Sequence, residues 1–136
     1  MLFPVRPVPK PRMTQSDKWR HGEYGKWRVR DCVKRYHEYQ DMINIYRKDY
    51  ELPNSFTVVF GMPFPKRINK TKRAQLLGQP HLQKPDVDNL LKAIMDTLKT
   101  EDQTVWHVDA RKVWATGEGF ISIEENEDNK LEQLQS

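Results

Sequence analysis

The organisation of this chain is clearest in residues 84–105, which read KPDVDNLLKAIMDTLKTEDQTV. Beyond Pro85, apolar residues recur at steps of three and four, a spacing that predicts an amphipathic helix over residues 87–99. A helix of this kind buries its apolar stripe against a neighbouring element. The predicted stripe consists of Val87, Leu91, Ile94 and Leu98.

The segments on both sides of this helix predict a small sheet. Residues 2–9 (LFPVRPVP) alternate loosely and contain prolines, which cannot donate to a strand ladder, so they predict an edge strand. Residues 29–50 carry apolar side chains at helical spacing, and residues 55–62 (SFTVVFGM) are typical of a buried strand. Two further strands are predicted near residues 104–114 and 119–125, joined by the turn ATGEG.

These elements, in the order β-α-β-α-β-β, predict an α/β domain of the α+β type, with a small mixed sheet of about four strands and two main helices. The 136 residues fit one domain, which we assign to residues 1–125. The polar residues 126–136 are expected to form a flexible tail. Only 37% of the residues are hydrophobic, which favours a homodimer because dimerisation buries additional surface.

Charge is distributed unevenly along the chain. Residues 1–84 contain 18 Lys and Arg against 7 Asp and Glu, a net charge of +11, whereas residues 85–136 contain 5 against 12, a net charge of −7. A strongly cationic surface is typical of proteins that bind phosphate backbones, although a surface that only keeps the protein in solution is an alternative. A divalent metal ion would explain acidic residues within such a protein.

Composition and motifs argue against several classes of protein. No stretch approaches the roughly 20 apolar residues of a membrane-spanning helix, and the N-terminal order of charges and prolines does not match a signal peptide. The single cysteine, Cys32, excludes an intramolecular disulfide, and we expect a buried thiol in a reducing cytoplasm. The sequence contains no zinc-type histidine spacing, phosphate-binding loop or nucleophile elbow.

Three aspartates and a lysine in the quoted stretch form the candidate catalytic site. Asp86 and Asp88 lie where the chain enters the helix, near the positive end of the helix dipole. Lys92 follows Asp88 by four residues on the same face, and Asp102 can fold back beside them before the next strand. This group suits a phosphodiesterase that uses Mg²⁺, which prefers carboxylate oxygens and bridges to phosphate.

A structural role for the same residues remains open, and spacing alone favours it. Asp86 or Asp88 could cap the helix, Asp88 and Lys92 could form a surface ion pair, and Asp102 could be a turn residue. Asp96 and Glu101 also lie nearby in sequence. Asp96 is expected to have a structural role. Because Glu101 lies directly beside Asp102, it stays open which of these two neighbours is the third metal ligand.

The run KPDVDNLLKAIMDTL, followed by an acidic turn and QTV, resembles the signature of the RusA family of Holliday junction resolvases. That signature is D-x-D-N-L-x-K on a helix, with a further Asp before a strand. The opening PVPKPRMTQ is also similar to the family's, and the resemblance extends over residues 3–125. It implies that Asp86, Asp88 and Asp102 bind Mg²⁺, for which Mn²⁺ can substitute, and that Lys92 assists catalysis. It also implies a homodimer that makes paired nicks in four-way DNA junctions.

A basic segment lies between the second strand and the candidate site. We expect it to form a long mobile loop, with at most a turn of helix near residues 74–77, that positions the DNA backbone. Phe64 at its base could stack on a base of an opened junction, although packing in the core is the simpler expectation. The family resemblance adds Lys10 and Arg12 to the basic residues of this segment. The predicted DNA-binding residues are therefore Lys10, Arg12, Lys66, Arg67, Lys70, Lys72, Arg73 and Lys84.

The leading hypothesis is a dimeric, Mg²⁺-dependent endodeoxyribonuclease that resolves Holliday junctions in DNA recombination and repair. We expect it in the cytoplasm of a bacterial cell, and a phage or prophage origin is open. One alternative is a non-catalytic DNA-binding or regulatory module on the same fold, which need not bind a divalent metal. A second is a metal nuclease that acts on flaps, replication forks or RNA.

Overall fold

The computed structural model describes residues 1–12, 30–99 and 101–127, and in these ranges the mixed α/β class is confirmed. No helix among them is long and apolar enough to cross a bilayer. The predicted helix start at Val29 and most of the predicted tail lie outside the described ranges. The elements in chain order are β1 (Leu2–Phe3), α1 (Asp31–Arg47), β2 (Ser55–Pro63), α2 (Lys70–Leu76), α3 (Val87–Leu98), a 3₁₀ turn (Asp102–Thr104), β3 (His107–Ala115) and β4 (Phe120–Glu125).

The described strands form one mixed sheet in the order β1-β4-β2-β3. β2 pairs in parallel with β3, from Ser55–His107 to Pro63–Ala115, and antiparallel with β4. β1 lies at the edge as predicted but pairs through two residues only, because the prolines that follow cannot donate to the ladder. β3 begins at His107, later than predicted, because residues 102–104 form the 3₁₀ turn.

One face of the sheet is covered by α1 and α3, and the core lies between these two layers. Phe56, Val58 and Phe60 of β2 are fully buried on this face. Because side chains alternate along a strand, their partners in the parallel register of β3 share the same face. These partners are Val108, Ala110 and Lys112.

Helix α3 buries a face that differs from the predicted stripe. Leu90 and Ile94 are fully buried, and Ala93 and Leu98 accompany them. Val87 is exposed, so the prediction was wrong for this residue. Val87 lies in the first turn of the helix, where it lines an open cleft instead of packing against the sheet.

Helix α1 buries Val33, Tyr36, Tyr39 and Ile43, as predicted. Cys32 is exposed, so the predicted burial of its thiol is wrong. Periodicity identifies the buried side of a helix but not how far along the helix its neighbours cover that side. Cys32 belongs to the first turn of α1, where the neighbouring Val33 is buried but Cys32 itself is left uncovered.

The basic segment contains a helix where a long loop was predicted. Asn69 caps α2 through its side chain, which accepts a hydrogen bond from the backbone N–H of Lys72 at 2.9 Å. Residues 78–81 then pair with the free edge of β3. Trp114 donates its backbone N–H to the carbonyl of Gln79 at 3.0 Å, and its own carbonyl accepts from Gly78 at 3.0 Å. These bonds fix the segment against the sheet beside the candidate site.

Candidate active site

Asp86 and Asp88 lie at the N-terminus of α3, as predicted. Asp86 occupies the N-cap position with extended backbone angles, but its side chain accepts no capping hydrogen bond. Asp88 lies in the first turn and is exposed. Neither carboxylate forms a hydrogen bond or ion pair with a described residue. The expected structural role of these residues as caps therefore finds no support in the geometry, and both carboxylates are open to a ligand.

Lys92 lies one turn beyond Asp88 on the exposed side of α3. A helix turns by about 100° per residue, so Asp88 and Lys92 each lie roughly 160° around the axis from the buried Leu90. Both side chains point away from the core, as predicted. No ion pair joins them within the described part of the chain, although their spacing permits one.

Asp102 occupies the first position of the 3₁₀ turn between α3 and β3. Its side chain lies outside the described part of the structure, so its approach to Asp86 and Asp88 stays a prediction. The described residues alone contain no group of three His, Cys, Asp or Glu side chains suited to a metal ion.

The two further acids considered as ligands lie elsewhere. Asp96 forms an ion pair with Lys10, which supports the structural role expected for it. Glu101 lines a separate cleft with Arg47 and Lys99, at the other end of α3 from Asp86. Asp102 follows Glu101 directly in the chain, so the choice of Asp102 as the third ligand stays a prediction.

Asp86 and Asp88 line an open cleft of about 540 Å³, which we call the aspartate cleft. His81 forms part of its wall and is only 6% exposed, with its ring edge-on to Trp114 at 4.4 Å. Burial lowers the pKa of His81, and the neighbouring Lys112 lowers it further. The imidazole is therefore held neutral, and its Nδ1 has no hydrogen-bond partner among the described residues. The cleft is lined by His81, Leu82, Gln83, Lys84, Asp86, Val87, Asp88 and Lys112.

Lys112 is a site residue that the sequence analysis missed. Its Nζ donates hydrogen bonds to the carbonyl oxygens of Gln83 at 2.6 Å and Pro85 at 2.7 Å, immediately before Asp86. The sequence carries no signal for this contact, since Lys112 follows Pro85 by 27 residues.

A second cleft of about 490 Å³, which we call the cationic cleft, adjoins the first through Lys84 and Asp86. Arg6 and Arg35 line it together with Lys10 and Lys84. The sequence analysis missed both arginines, which are exposed. Arg6 lies in the N-terminal segment between the buried Val5 and Pro7, so its outward position follows the alternation noted there.

The predicted DNA-binding residues differ in whether their charged groups are exposed or already bonded within the protein. Arg73 is held by the basic segment itself, because its guanidinium donates to the carbonyls of Ile68 at 2.8 Å and Pro65 at 3.2 Å. It also lies over the ring of Phe64, which stacks on Trp114 with ring centroids 5.0 Å apart. Phe64 therefore packs against Trp114, but it is only half-buried and lies outside the main core that was expected to hold it. The exposed members of the predicted set are Lys10, Arg12, Lys66, Arg67, Lys70, Lys72 and Lys84.

The donor set at the aspartate cleft fits a hard divalent cation. Mg²⁺ is commonly bound by one or two carboxylates together with waters and a substrate phosphate. Asp86 and Asp88 supply carboxylate oxygens that no described residue occupies, at an exposed helix N-terminus. Soft thiolate ligands are absent from the cleft lining, which disfavours a structural zinc site there.

An α/β domain with open carboxylates at a helix N-terminus and an adjoining cationic cleft is typical of proteins that act on nucleic-acid phosphodiesters. The family model Endodeoxyribonuclease RusA matches residues 4–126 of the 136. The chain therefore belongs to the RusA endodeoxyribonuclease family, and membership implies Holliday junction resolvase activity on branched DNA. No curated protein matches the chain.

Proposed function

We propose that this protein is a homodimeric, Mg²⁺-dependent endonuclease that resolves four-way DNA junctions by paired nicks during recombination and repair. The observation that carries the proposal is the pair of open carboxylates, Asp86 and Asp88, in a cleft that adjoins a cationic one. An acidic site inside a cationic surface is expected where a metal ion and a phosphate meet.

Asp86, Asp88 and Asp102 would hold the metal. When bound, a divalent ion supplies positive charge at the scissile phosphate and lowers the pKa of water. The carboxylates of Asp86 and Asp88 lie at the positive end of the α3 dipole, where negative groups are favourable. Mn²⁺ would substitute for Mg²⁺ because it accepts the same oxygen ligands.

The remaining charged residues would bind the substrate. Lys92, on the same exposed face as Asp88, would stabilise the negative charge that develops on the phosphate during cleavage. Arg6, Arg35 and Lys84 would bind neighbouring phosphates along the cationic cleft. In this arrangement one strand of the junction passes from the cationic cleft into the aspartate cleft at Asp86.

A homodimer is supported by two considerations. The chain has few core-forming residues for its length, so association buries surface that one copy leaves exposed. Twofold symmetry would also present two identical sites to a junction that itself has twofold symmetry, which accounts for nicks at matched positions.

The test is cleavage of a fluorescently labelled four-way junction by the wild type, Asp88→Asn and Asp109→Asn, in Mg²⁺ and in EDTA. Asp109 is a matched control because its carboxylate pairs with Arg111 on β3, outside the aspartate cleft. We expect symmetric nicks in Mg²⁺ only, and a loss in Asp88→Asn of more than about 100-fold, since a direct ligand matters more than an outer-shell partner. Asp109→Asn should cleave like the wild type.

Junction binding should persist or improve in Asp88→Asn, because the substitution removes a negative charge from the cleft. Binding without cleavage in any divalent metal would contradict the proposal and favour a non-catalytic module. Faster cleavage of flaps or replication forks than of four-way junctions would contradict the substrate assignment.

A further inference from the structure

We propose that Lys112 is a positioning residue that holds the backbone leading into Asp86 in the conformation that binds the metal. This inference rests on the proposed metal site at Asp86 and Asp88. It assigns a role to a residue on β3 that lies far from both aspartates in sequence.

The ammonium group of Lys112 joins β3 to the chain just before α3. It donates to the carbonyls of Gln83 and Pro85, at 2.6 and 2.7 Å, so two of its three N–H groups are used on one short stretch of backbone. Hydrogen bonds from a charged donor are stronger than those between neutral groups. The two contacts therefore restrain the direction in which the chain enters Asp86.

The backbone of Lys112 holds the other end of the same stretch. Its carbonyl accepts a hydrogen bond from the N–H of His81 at 3.0 Å. A single residue thus restrains residues 81–85 at both ends, and residues 81–84 form part of the wall of the aspartate cleft. Because β3 pairs with β2 along its whole length, the restraint connects the site to the sheet.

The environment of Lys112 favours a positioning role over contact with DNA. Its side chain lies on the helix-covered face, in register with the fully buried Phe60, and is only partly exposed. Two of its three N–H donors already have protein acceptors, unlike Lys92, whose ammonium has no described partner. Lys112 therefore acts through the backbone that carries Asp86.

The experiment compares Mn²⁺ binding, measured by electron paramagnetic resonance on the full chain without DNA, in the wild type and four variants. Lys112→Met removes both hydrogen bonds and the charge, whereas Lys112→Arg keeps a charged donor. Lys112→Gln keeps a neutral donor and is the substitute if Lys112→Met fails to fold. Arg111→Met is the control, because it removes one positive charge from the adjacent position, where the guanidinium contacts only Asp109 among the described residues.

We expect Lys112→Met to weaken Mn²⁺ binding about 10- to 100-fold, the range found for outer-shell partners of metal ligands. Lys112→Arg should restore most of the affinity, and Arg111→Met should bind like the wild type. In the metal-free protein, amide hydrogen exchange at Leu90, whose N–H donates to the carbonyl of Asp86, should be faster in Lys112→Met, while junction binding in EDTA should be unchanged. A merely structural role would lower the melting temperature without this pattern.

Unchanged Mn²⁺ affinity and unchanged exchange in Lys112→Met would overturn the positioning role. Equal loss in Lys112→Met and Arg111→Met would also overturn it, because charge alone would then explain the effect. Failure of the wild type to bind Mn²⁺ would instead contradict the proposed function, and the exchange comparison would still decide whether Lys112 restrains the segment.

Discussion

At the scale of single residues, Asp86 differs from an ordinary helix cap. An aspartate at the N-cap normally accepts a backbone hydrogen bond worth about 0.5–2 kcal/mol. Asn69 does this at α2, whereas Asp86 at α3 does not. A helix that leaves its N-cap carboxylate free forgoes that stabilisation, and the carboxylate is left for a ligand.

Two tyrosines of α1 provide a residue-scale prediction about stability. The hydroxyl of Tyr39 is buried without a partner among the described residues, and burial raises its pKa. The hydroxyl of Tyr36 accepts a hydrogen bond from Gln40 at 3.1 Å. Tyr39→Phe should therefore raise the free energy of unfolding by about 1 kcal/mol, because it removes a buried unsatisfied group. Tyr36→Phe should lower it by about 0.5–1.5 kcal/mol.

Urea denaturation of both variants measures these changes. The burial of the two side chains is nearly equal, so the comparison isolates the hydrogen bond. A fall in stability in Tyr39→Phe as large as that in Tyr36→Phe would show that the Tyr39 hydroxyl has a partner in the folded protein.

At the scale of elements, the sequence predicted most of the helices and strands but not how they pack. Alternation and helical spacing placed α1, β2, α3 and β4 well, because these elements bury one side and their patterns are local. The rotation of α3 was missed, since Val87 fits the helical period but faces a cleft. Helix α2 was missed because it buries no residue and so has no apolar pattern, although the Asn69 cap was readable in the sequence.

The packing of α3 against α1 gives an element-scale prediction. Ile94 is fully buried in the core, and next to it Gln40 and Arg47 of α1 donate hydrogen bonds to Thr97 at 3.1 Å each. Ile94→Ala should lower the free energy of unfolding by about 2–5 kcal/mol, because it leaves a cavity that packed neighbours cannot fill. Ile45→Ala, on the outer face of α1, should change it by less than about 0.5 kcal/mol.

Chemical denaturation followed by circular dichroism tests this pair. Ile45 is 68% exposed, so its truncation removes little buried surface and serves as the control. A large effect of Ile45→Ala would show that the outer face of α1 is covered in solution, as it would be if that face formed the homodimer interface.

At the scale of the whole molecule, the fold brings the two charged parts of the sequence together. The acidic site belongs to the C-terminal part of the chain, whereas the cationic cleft combines the N-terminal segment, α1 and the end of the basic segment. No local sequence pattern reveals the cationic cleft, because its residues Arg6, Arg35 and Lys84 are distant from one another in sequence. Composition predicted a phosphate-binding surface, and the tertiary structure gathers these cations in one cleft, where we propose that DNA binds.

Salt dependence of junction binding tests that assignment. Each lysine or arginine that neutralises a DNA phosphate contributes about 0.9 to the negative slope of log affinity against log salt concentration. Arg6→Ala and Arg35→Ala should therefore each reduce the slope by about one and weaken binding uniformly across DNA sequences. Fluorescence anisotropy in EDTA, at a series of NaCl concentrations, measures the slope without cleavage.

Lys48→Ala is the control for this prediction, because it removes the same charge at the opposite end of the helical layer. Lys48 follows the C-terminus of α1, where Arg47 bonds to the carbonyl of Thr97 near the end of α3. A twelve-residue helix is roughly 18 Å long, so Lys48 lies well away from Asp86. Equal slopes for all three variants would mean that net charge alone attracts the junction. A reduced slope in Arg6→Ala and Arg35→Ala only would place DNA phosphates in the cationic cleft, beside the residues proposed to cut them.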